Sequence, residues 1–145
     1  MNKFLKIFLV MIVAVASLFA DVNTHDVLWD EYIVLRDAMY NNEHSADGLL
    51  PLYDAAVTSA KEKFSEDTLL VALSRCEYIM GRAYSYEENK DVAGARYDAG
   101  DKYAEQALDI RESATAHLMR GENISQNCSV KPVSYALSYG TKISG

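Results

Sequence analysis

The chain is poor in the residues that interrupt regular structure or build special frameworks. It has two prolines and seven glycines among 145 residues, which argues against a sandwich or barrel of short strands. Two cysteines are too few for a disulfide scaffold. Lysine and arginine number 14 against 21 acids, and the resulting charge of −7 argues against nucleic-acid binding. The length fits one small domain and is short for a two-domain enzyme.

The residue patterns of catalytic and metal sites are also missing. The three histidines are scattered and form no spaced set of metal ligands: His25, His44 and His117. There is no Gly-x-Ser-x-Gly sequence and no glycine-rich phosphate loop. We therefore expect no enzyme activity, no metal and no cofactor. Cys76 lies on an apolar stripe and should be buried, whereas Cys128 is placed in a loop, and their pairing is left open.

The first twenty residues have the layout of a secretory signal peptide. Lys3 and Lys6 precede an apolar run that continues to Ala20. The run is shorter than the roughly 18 to 20 residues that a spanning helix needs. Cleavage is predicted after Ala20, with Ser17 as an alternative site and an uncleaved anchor as the other outcome. We expect a periplasmic or secreted protein that contacts the membrane only during export and folds as one domain over residues 21–145.

An internal repeat organises the rest of the chain. Residues 27–70 align with residues 71–114 at a shift of 44 positions. Tyr53-Asp54-Ala55 then falls on Tyr97-Asp98-Ala99, and Tyr40 falls on Tyr84. The apolar residues around these matches recur at spacings of three and four, which places them on one helical face. A fixed period of this size is typical of a solenoid.

The coarse prediction is all-α: stacked antiparallel helix pairs, forming a TPR-like α-solenoid of about three helix pairs. The helices are predicted at about 26–43, 47–64, 66–88, 91–111, 112–125 and 130–143, with a chain break at Asn127-Cys128-Ser129. Gly100, Ala104 and Ala107 share one face of the fourth helix and should allow a neighbouring backbone to approach closely. An ordinary helical bundle with alanine-rich seams is the alternative.

Two segments carry a family resemblance. Met80-Gly81-x2-Tyr84, followed by Ala107-Leu108 in the partner helix, resembles a tetratricopeptide (TPR) repeat. The stretch from Ala95 to Leu108, together with the export signal, is similar to the TPR-type T-component proteins associated with tripartite ATP-independent periplasmic (TRAP) transporters. The resemblance implies an all-helical periplasmic protein that pairs with a substrate-binding protein or holds an apolar ligand.

A working surface follows from the predicted stacking, because the first helix of each pair lines the concave face. With Tyr84 as the packed aromatic, the groove residues are predicted to be Glu31, Val34, Arg75, Tyr78, Arg82, Tyr86, Met119 and Glu122. Arg75 and Arg82 are seven positions apart and share a helical face with Tyr78. Arginine forks pair carboxylates and tyrosine rings accept stacking, so the groove is suited to a carboxylate-bearing peptide segment or small ligand.

Two functions remain open at this point. The first is an exported scaffold or adaptor that binds a protein partner, as an auxiliary component of a periplasmic transport system. The second is a carrier of a small apolar or anionic ligand held between the helices. If instead the face is only solvated, both arginines should pair with Glu77, Glu87 or acids across the turn.

Overall fold

The protein is all-α over the part of the chain that the computed structural model describes, residues 28–143, with side chains to Tyr139. The predicted signal peptide lies outside these residues. The elements are α1 Asp30–Tyr40, a 3-10 turn Asp47–Leu49, α2 Leu50–Lys63, α3 Glu66–Tyr86, α4 Lys90–Ile110, α5 Ala114–Val130 and α6 Val133–Ile143. The all-helical prediction is confirmed for residues 28–143. None of these helices combines the length and apolar character needed to cross a membrane.

Local sequence signals mark where several of the helices begin. The side chain of Asn89 accepts a hydrogen bond from the Val92 N–H at 3.4 Å at the start of α4. Ser113 does the same for the Ala116 N–H at 3.3 Å at the start of α5. These caps satisfy backbone donors that have no partner inside the helix. Pro51 sits in the first turn of α2, where its missing N–H costs nothing.

The end of α5 differs from the prediction. The helix continues through Asn127-Cys128-Ser129 to Val130. Asn127 is fully buried, and its amide donates to Asp98 Oδ1 at 2.7 Å and to the Tyr135 hydroxyl at 3.1 Å. Because these tertiary contacts occupy the amide, it does not compete with the helix backbone. The helix ends instead at Lys131, whose extended ψ of 162° is what a following proline favours.

Helix α3 is the centre of the fold. It packs along α4, and α4 packs along α5, while the α1–α2 hairpin covers the other flank of α3. One apolar cluster joins α1, α2, α3 and α4, and a second joins α3, α4 and α5. Tyr84 is buried in the first cluster, as predicted, and its hydroxyl donates to Asp47 Oδ1 at 2.7 Å. Consecutive helices therefore share their cores through α3.

The two predicted hairpins are not equal copies. Helices α1 and α2 have 11 and 14 residues, whereas α3 and α4 have 21 each. Tyr53 and Tyr97 both contact α3, but Tyr53 donates to Glu77 and is only half-buried, while Tyr97 is fully buried beside Gly81. A Cβ on Gly81 would lie 2.5 Å from Tyr97 Cε1. The residue 44 positions before Gly81 is Asp37, so the first hairpin has no glycine that makes room for Tyr53. The two hairpins therefore do not follow the 44-residue alignment.

At Gly100 the space left by the small residues of α4 is filled by a side chain of α5. Ala104 is fully buried, and the carboxamide of Asn123 on α5 occupies the place that a Cβ on Gly100 would need. The hydroxyl of Ser74 on α3 donates to the Gly100 carbonyl at 2.7 Å and accepts from Asn123 Nδ2 at 3.2 Å. The seam between α3, α4 and α5 therefore combines small side chains with a short chain of hydrogen bonds.

Helix α6 contacts α4 and α5 through its tyrosines. The Tyr139 hydroxyl donates to Asp101 Oδ2 at 2.9 Å, and its ring packs on Tyr135 at 5.1 Å between centroids. Val133 and Leu137 are exposed. The sequence pattern predicts an inward stripe of Val133, Ala136, Tyr139, Gly140 and Ile143. Ala136 and Tyr139 are half-buried as this predicts, whereas Val133 is exposed.

Three of the connections between helices contain a residue in the left-handed region of backbone space. They are Asn42 after α1 (φ 54°), Glu66 at the start of α3 (φ 49°) and Glu88 between α3 and α4 (φ 60°). Among the described residues no glycine has a positive φ. Each of these tight connections therefore reverses the chain with a residue that carries a Cβ.

Candidate functional site

Helices α1, α3 and α5 form an open cleft of about 320 Å³ on one side of the molecule. They are every second helix of the chain from α1 to α5. The cleft is lined by Leu28, Tyr32, Arg36, Tyr40, Arg75, Tyr78, Ile79, Met119 and Glu122. It therefore combines an apolar floor with tyrosine rings and charges of both signs.

Half of the predicted groove residues are part of this lining, namely Arg75, Tyr78, Met119 and Glu122. Arg82 and Tyr86 lie beyond it on α3, where the Arg82 guanidinium donates to the hydroxyls of Tyr86 and, at 3.5 Å, of Tyr78. It also stacks over the Tyr86 ring at 5.0 Å. Arg82 is thus connected to the cleft through Tyr78.

The other predicted groove residues are on α1 and are placed elsewhere. Glu31 accepts hydrogen bonds from Ser59 Oγ at 2.8 Å and Lys63 Nζ at 3.1 Å, and so faces α2. The bond from Ser59 is the main reason that the pKa of Glu31 is lowered. Val34 is 52% exposed and does not line the cleft. These two residues were transferred from α3 by the 44-residue shift, which the shorter first hairpin does not obey.

The cleft residues in α1 and just before it follow a simpler sequence pattern. Leu28, Tyr32, Arg36 and Tyr40 are spaced by four and lie on one helical face. Helical periodicity applied to this segment alone, without the repeat alignment, would have found them.

The tyrosine walls of the cleft are held in place from behind. The Tyr32 ring stacks on Trp29 at 4.9 Å, and the Trp29 indole donates to the Ala56 carbonyl at 3.0 Å. The Tyr78 ring packs against the buried Tyr97 at 6.2 Å. Burial raises the pKa of both Tyr32 and Tyr78, with neighbouring arginines acting against the rise, so their hydroxyls are neutral at physiological pH. The cleft therefore presents ring faces whose positions are set before any ligand binds.

Glu77 and Glu87, the two acids named by the solvated-face alternative, have other partners in the structure. Glu77 binds Arg96, and Glu87 accepts from the Ala46 N–H at 2.7 Å. Burial by itself would lower the pKa of Arg82, but its tyrosine partners raise the pKa overall and keep the guanidinium charged. Arg36 forms a surface pair with Asp37 at 2.8 Å, and such exposed pairs contribute little.

A second group of tyrosine, glutamate and arginine lies between α2, α3 and α4, away from the cleft. The Tyr53 hydroxyl donates to Glu77, and Arg96 Nη1 contacts Glu77 Oε2 at 3.2 Å. The Arg96 guanidinium also stacks over the Tyr53 ring at 4.9 Å. Burial raises the pKa of Tyr53, and the bond to Glu77 adds to the rise. We call these three residues the buried triad.

Within the described part of the chain no group of three or more His, Cys, Asp or Glu could hold a metal ion. Both cysteines are free thiols. Cys76 is fully buried, as predicted, and burial, with Glu77 nearby, raises its pKa to about 12. Such a thiol is unreactive at neutral pH. Cys128 is in α5 and not in a loop, because the predicted break is absent.

Comparison of this chain with protein-family models, with curated proteins and with solved structures finds no match. The role of the cleft is therefore inferred from its own residues and from their surroundings.

Proposed function

We propose that the protein is an exported binding protein, and not an enzyme, that acts as an adaptor for a protein partner. Its helices are interpreted as a TPR-like α-solenoid of about three pairs, whose concave face is the cleft between α1, α3 and α5. The placement of the first helix of each pair on one side supports this interpretation, since solenoids use that side for binding.

One observation carries the proposal: the cationic and aromatic row Arg75, Tyr78, Arg82 and Tyr86 along α3. The contacts of Arg82 with described residues are to tyrosines and include no carboxylate. A guanidinium in this state can bind an incoming carboxylate with two parallel hydrogen bonds. On a chain with a formal charge of −7, a local positive row also selects where an acidic segment first makes contact.

The partner class follows from the TPR resemblance. A periplasmic substrate-binding protein with an exposed acidic segment would fit an auxiliary component of a periplasmic transport system. We expect no nucleic-acid partner, and we expect the protein to contact the membrane only during its export.

A second function, the carrier of a small apolar or anionic ligand, is favoured by the size of the cleft. About 320 Å³ is at the lower end of the range found for small-molecule sites, and three tyrosines line it. Native mass spectrometry of protein purified from its own host discriminates between the two functions. A carrier would retain a bound small molecule, whereas an adaptor would be recovered at the mass of the chain alone.

The adaptor function is tested by capture from the envelope of the native host. Tagged wild-type protein is cross-linked, purified and analysed by mass spectrometry beside Arg75→Ala, Arg82→Ala and, as the control, the exposed Lys61→Ala on α2. We expect either arginine variant to lower recovery of the partner about tenfold, since hydrogen bonds to charged groups contribute about 1.5 to 3 kcal/mol. Thermal unfolding should not change. Full recovery with Arg82→Ala would reject the proposal.

A further inference from the structure

One carboxylate in the cleft differs from the other sheltered acids. Glu122 on α5 is half-buried and lines the cleft. The other acids with little exposure are Glu31, Asp67, Glu77 and Asp101, and each forms a salt bridge to a basic side chain. Among the described residues Glu122 has no such partner and no hydrogen bond to its side chain. A half-buried carboxylate without a partner in the protein keeps its hydrogen-bonding capacity for a ligand.

Glu122 is also close to aromatic surface. Glu122 and Tyr78 both line the cleft, and the charge of Glu122 adds to the rise in the pKa of Tyr78 that burial causes. Tyr32 and Tyr40 line the same cleft. A carboxylate beside tyrosine faces is the chemistry that recognises ammonium groups, because the ring faces and the carboxylate both attract a cation.

The cleft contains the opposite charge as well. Arg36 and Arg75 contribute to its lining from α1 and α3, while Glu122 contributes from α5. A ligand with a single charge would be attracted by one side of the cleft only. A ligand that carries both charges would be attracted at both ends.

We propose that the cleft binds a zwitterion, with its ammonium group between Glu122 and the tyrosine rings and its carboxylate at Arg36, whose exposed pair with Asp37 is weak. The ligand class is an amino carboxylate or a betaine. The ligand is either a free small molecule or a segment of a partner protein that carries the same pair of charges. This inference rests on the proposed binding role of the cleft, and it adds Glu122 as the residue that determines which charge pattern is accepted.

The first experiment measures charge preference and charge spacing by NMR titration of the mature chain. The probes are sodium acetate, tetramethylammonium chloride, glycine betaine and the unbranched series glycine, 4-aminobutanoate and 6-aminohexanoate. We expect at least one zwitterion to bind about tenfold more tightly than either singly charged probe, with shifts at α1, α3 and α5. The preferred chain length then gives the distance between the two poles.

The second experiment uses Glu122→Gln, which keeps the shape of the side chain and removes its charge. We expect the zwitterion and tetramethylammonium to lose about tenfold in affinity, while acetate binds as well as before or better. The matched control is Glu62→Gln, an exposed glutamate on α2, which should leave every affinity unchanged.

The source of the zwitterion is assigned by comparing the free amino acids with acetyl-Lys-Glu-amide, whose charges are both on side chains. Binding of the free probes assigns a small molecule, and binding of the blocked dipeptide assigns a partner segment. The inference is overturned if no zwitterion binds, or if Glu122→Gln leaves zwitterion affinity unchanged. In either case, loss of partner capture with Arg82→Ala would still support the adaptor function.

Discussion

Two regions of this molecule contain the same residue types in opposite circumstances. In the buried triad, Glu77 is 5% exposed and is bound by both Tyr53 and Arg96. In the cleft, Glu122 is half-buried and faces tyrosine and arginine side chains without a described bond to any of them. The comparison shows that a Tyr, Glu and Arg set indicates a binding site only where its carboxylate has no partner within the protein.

The difference arises from how the helices cover α3. On one side α2 and α4 both contact α3, and the buried Glu77 is bound by the charges and hydroxyls between them. On the other side α1 and α5 meet α3 around an open space, where water or a ligand can serve as the partner. Removing a charge should therefore have large consequences for folding in the first region and small ones in the second.

The largest expected effect tests that contrast directly with Glu77→Ala and Glu122→Ala. Loss of Glu77 leaves the Arg96 charge without its partner in a sheltered position and should lower the free energy of unfolding by about 3 kcal/mol. Loss of Glu122 should change it by less than about 0.5 kcal/mol. Urea unfolding monitored by circular dichroism measures both values. Equal losses for the two variants would contradict the distinction between the regions.

A smaller effect is expected from Gly81→Ala, which tests whether α3 must lack a Cβ where Tyr97 approaches. The added Cβ would lie 2.5 Å from Tyr97 Cε1, so we expect the free energy of unfolding to fall by about 2 kcal/mol. Gly121→Ala on α5 is the matched control because nothing lies within 4 Å of its added Cβ. That variant should gain up to about 1 kcal/mol from helix propensity. A neutral Gly81→Ala would show that the ring can move.

A further prediction concerns alkaline pH. Burial raises the pKa of Tyr97 to about 12, against about 10 for an unperturbed tyrosine. The stabilising contribution of its neutral hydroxyl is therefore complete below pH 10 and is lost as the pH rises towards 12. The hydroxyl is buried and has no hydrogen bond of good geometry. Tyr97→Phe should thus have a small effect at neutral pH and should retain about 1 kcal/mol more stability than the wild type near pH 11.

The measurement for that prediction is the free energy of unfolding in urea from pH 8 to 11. Tyr40→Phe, which changes an exposed ring, serves as the control and should follow the wild-type curve. A Tyr97→Phe curve parallel to the wild type would show that this hydroxyl does not cause the alkaline loss.

The smallest expected effect on stability is that of Cys128→Ser, at less than about 0.5 kcal/mol. Cys128 is half-buried near the end of α5, whereas Cys76 is fully buried and its thiol has a pKa raised to about 12. We therefore expect a thiol reagent to label Cys128 in the native protein and Cys76 only after unfolding. Rapid labelling of Cys76 in the native Cys128→Ser variant would contradict the burial of α3.

Much of the fold could be predicted from helical periodicity, because apolar spacing depends on local geometry alone. The ranges of α3 and α4 and the packing role of Gly100 follow from that spacing. The end of α5 could not be found in this way, since Asn127 becomes compatible with a helix only through Asp98 and Tyr135, which are distant in sequence. Glu77 is a similar case, because its burial depends on Tyr53 and Arg96.

The repeat alignment found the α5 side of the cleft, where the shift of 44 positions gave Met119 and Glu122, but it did not find the α1 side. Transfer by 44 positions requires equal hairpins, and α1 is shorter than α3 by ten residues. The transfer therefore placed Glu31 and Val34 where Tyr32 and Arg36 actually lie. Whether an arginine or glutamate in such a groove is available to a ligand depends on its contacts, which no spacing rule reports.

The connections at Asn42, Glu66 and Glu88 have a practical consequence for anyone who needs a more robust version of this protein. A glutamate with φ near 60° stores backbone strain that a glycine would not, on the order of 1 kcal/mol. Glu88 lies in the turn between α3 and α4 and is not among the residues that line the cleft. Thermostability can thus be engineered at the hinges of the hairpins while the recognition surface is left untouched.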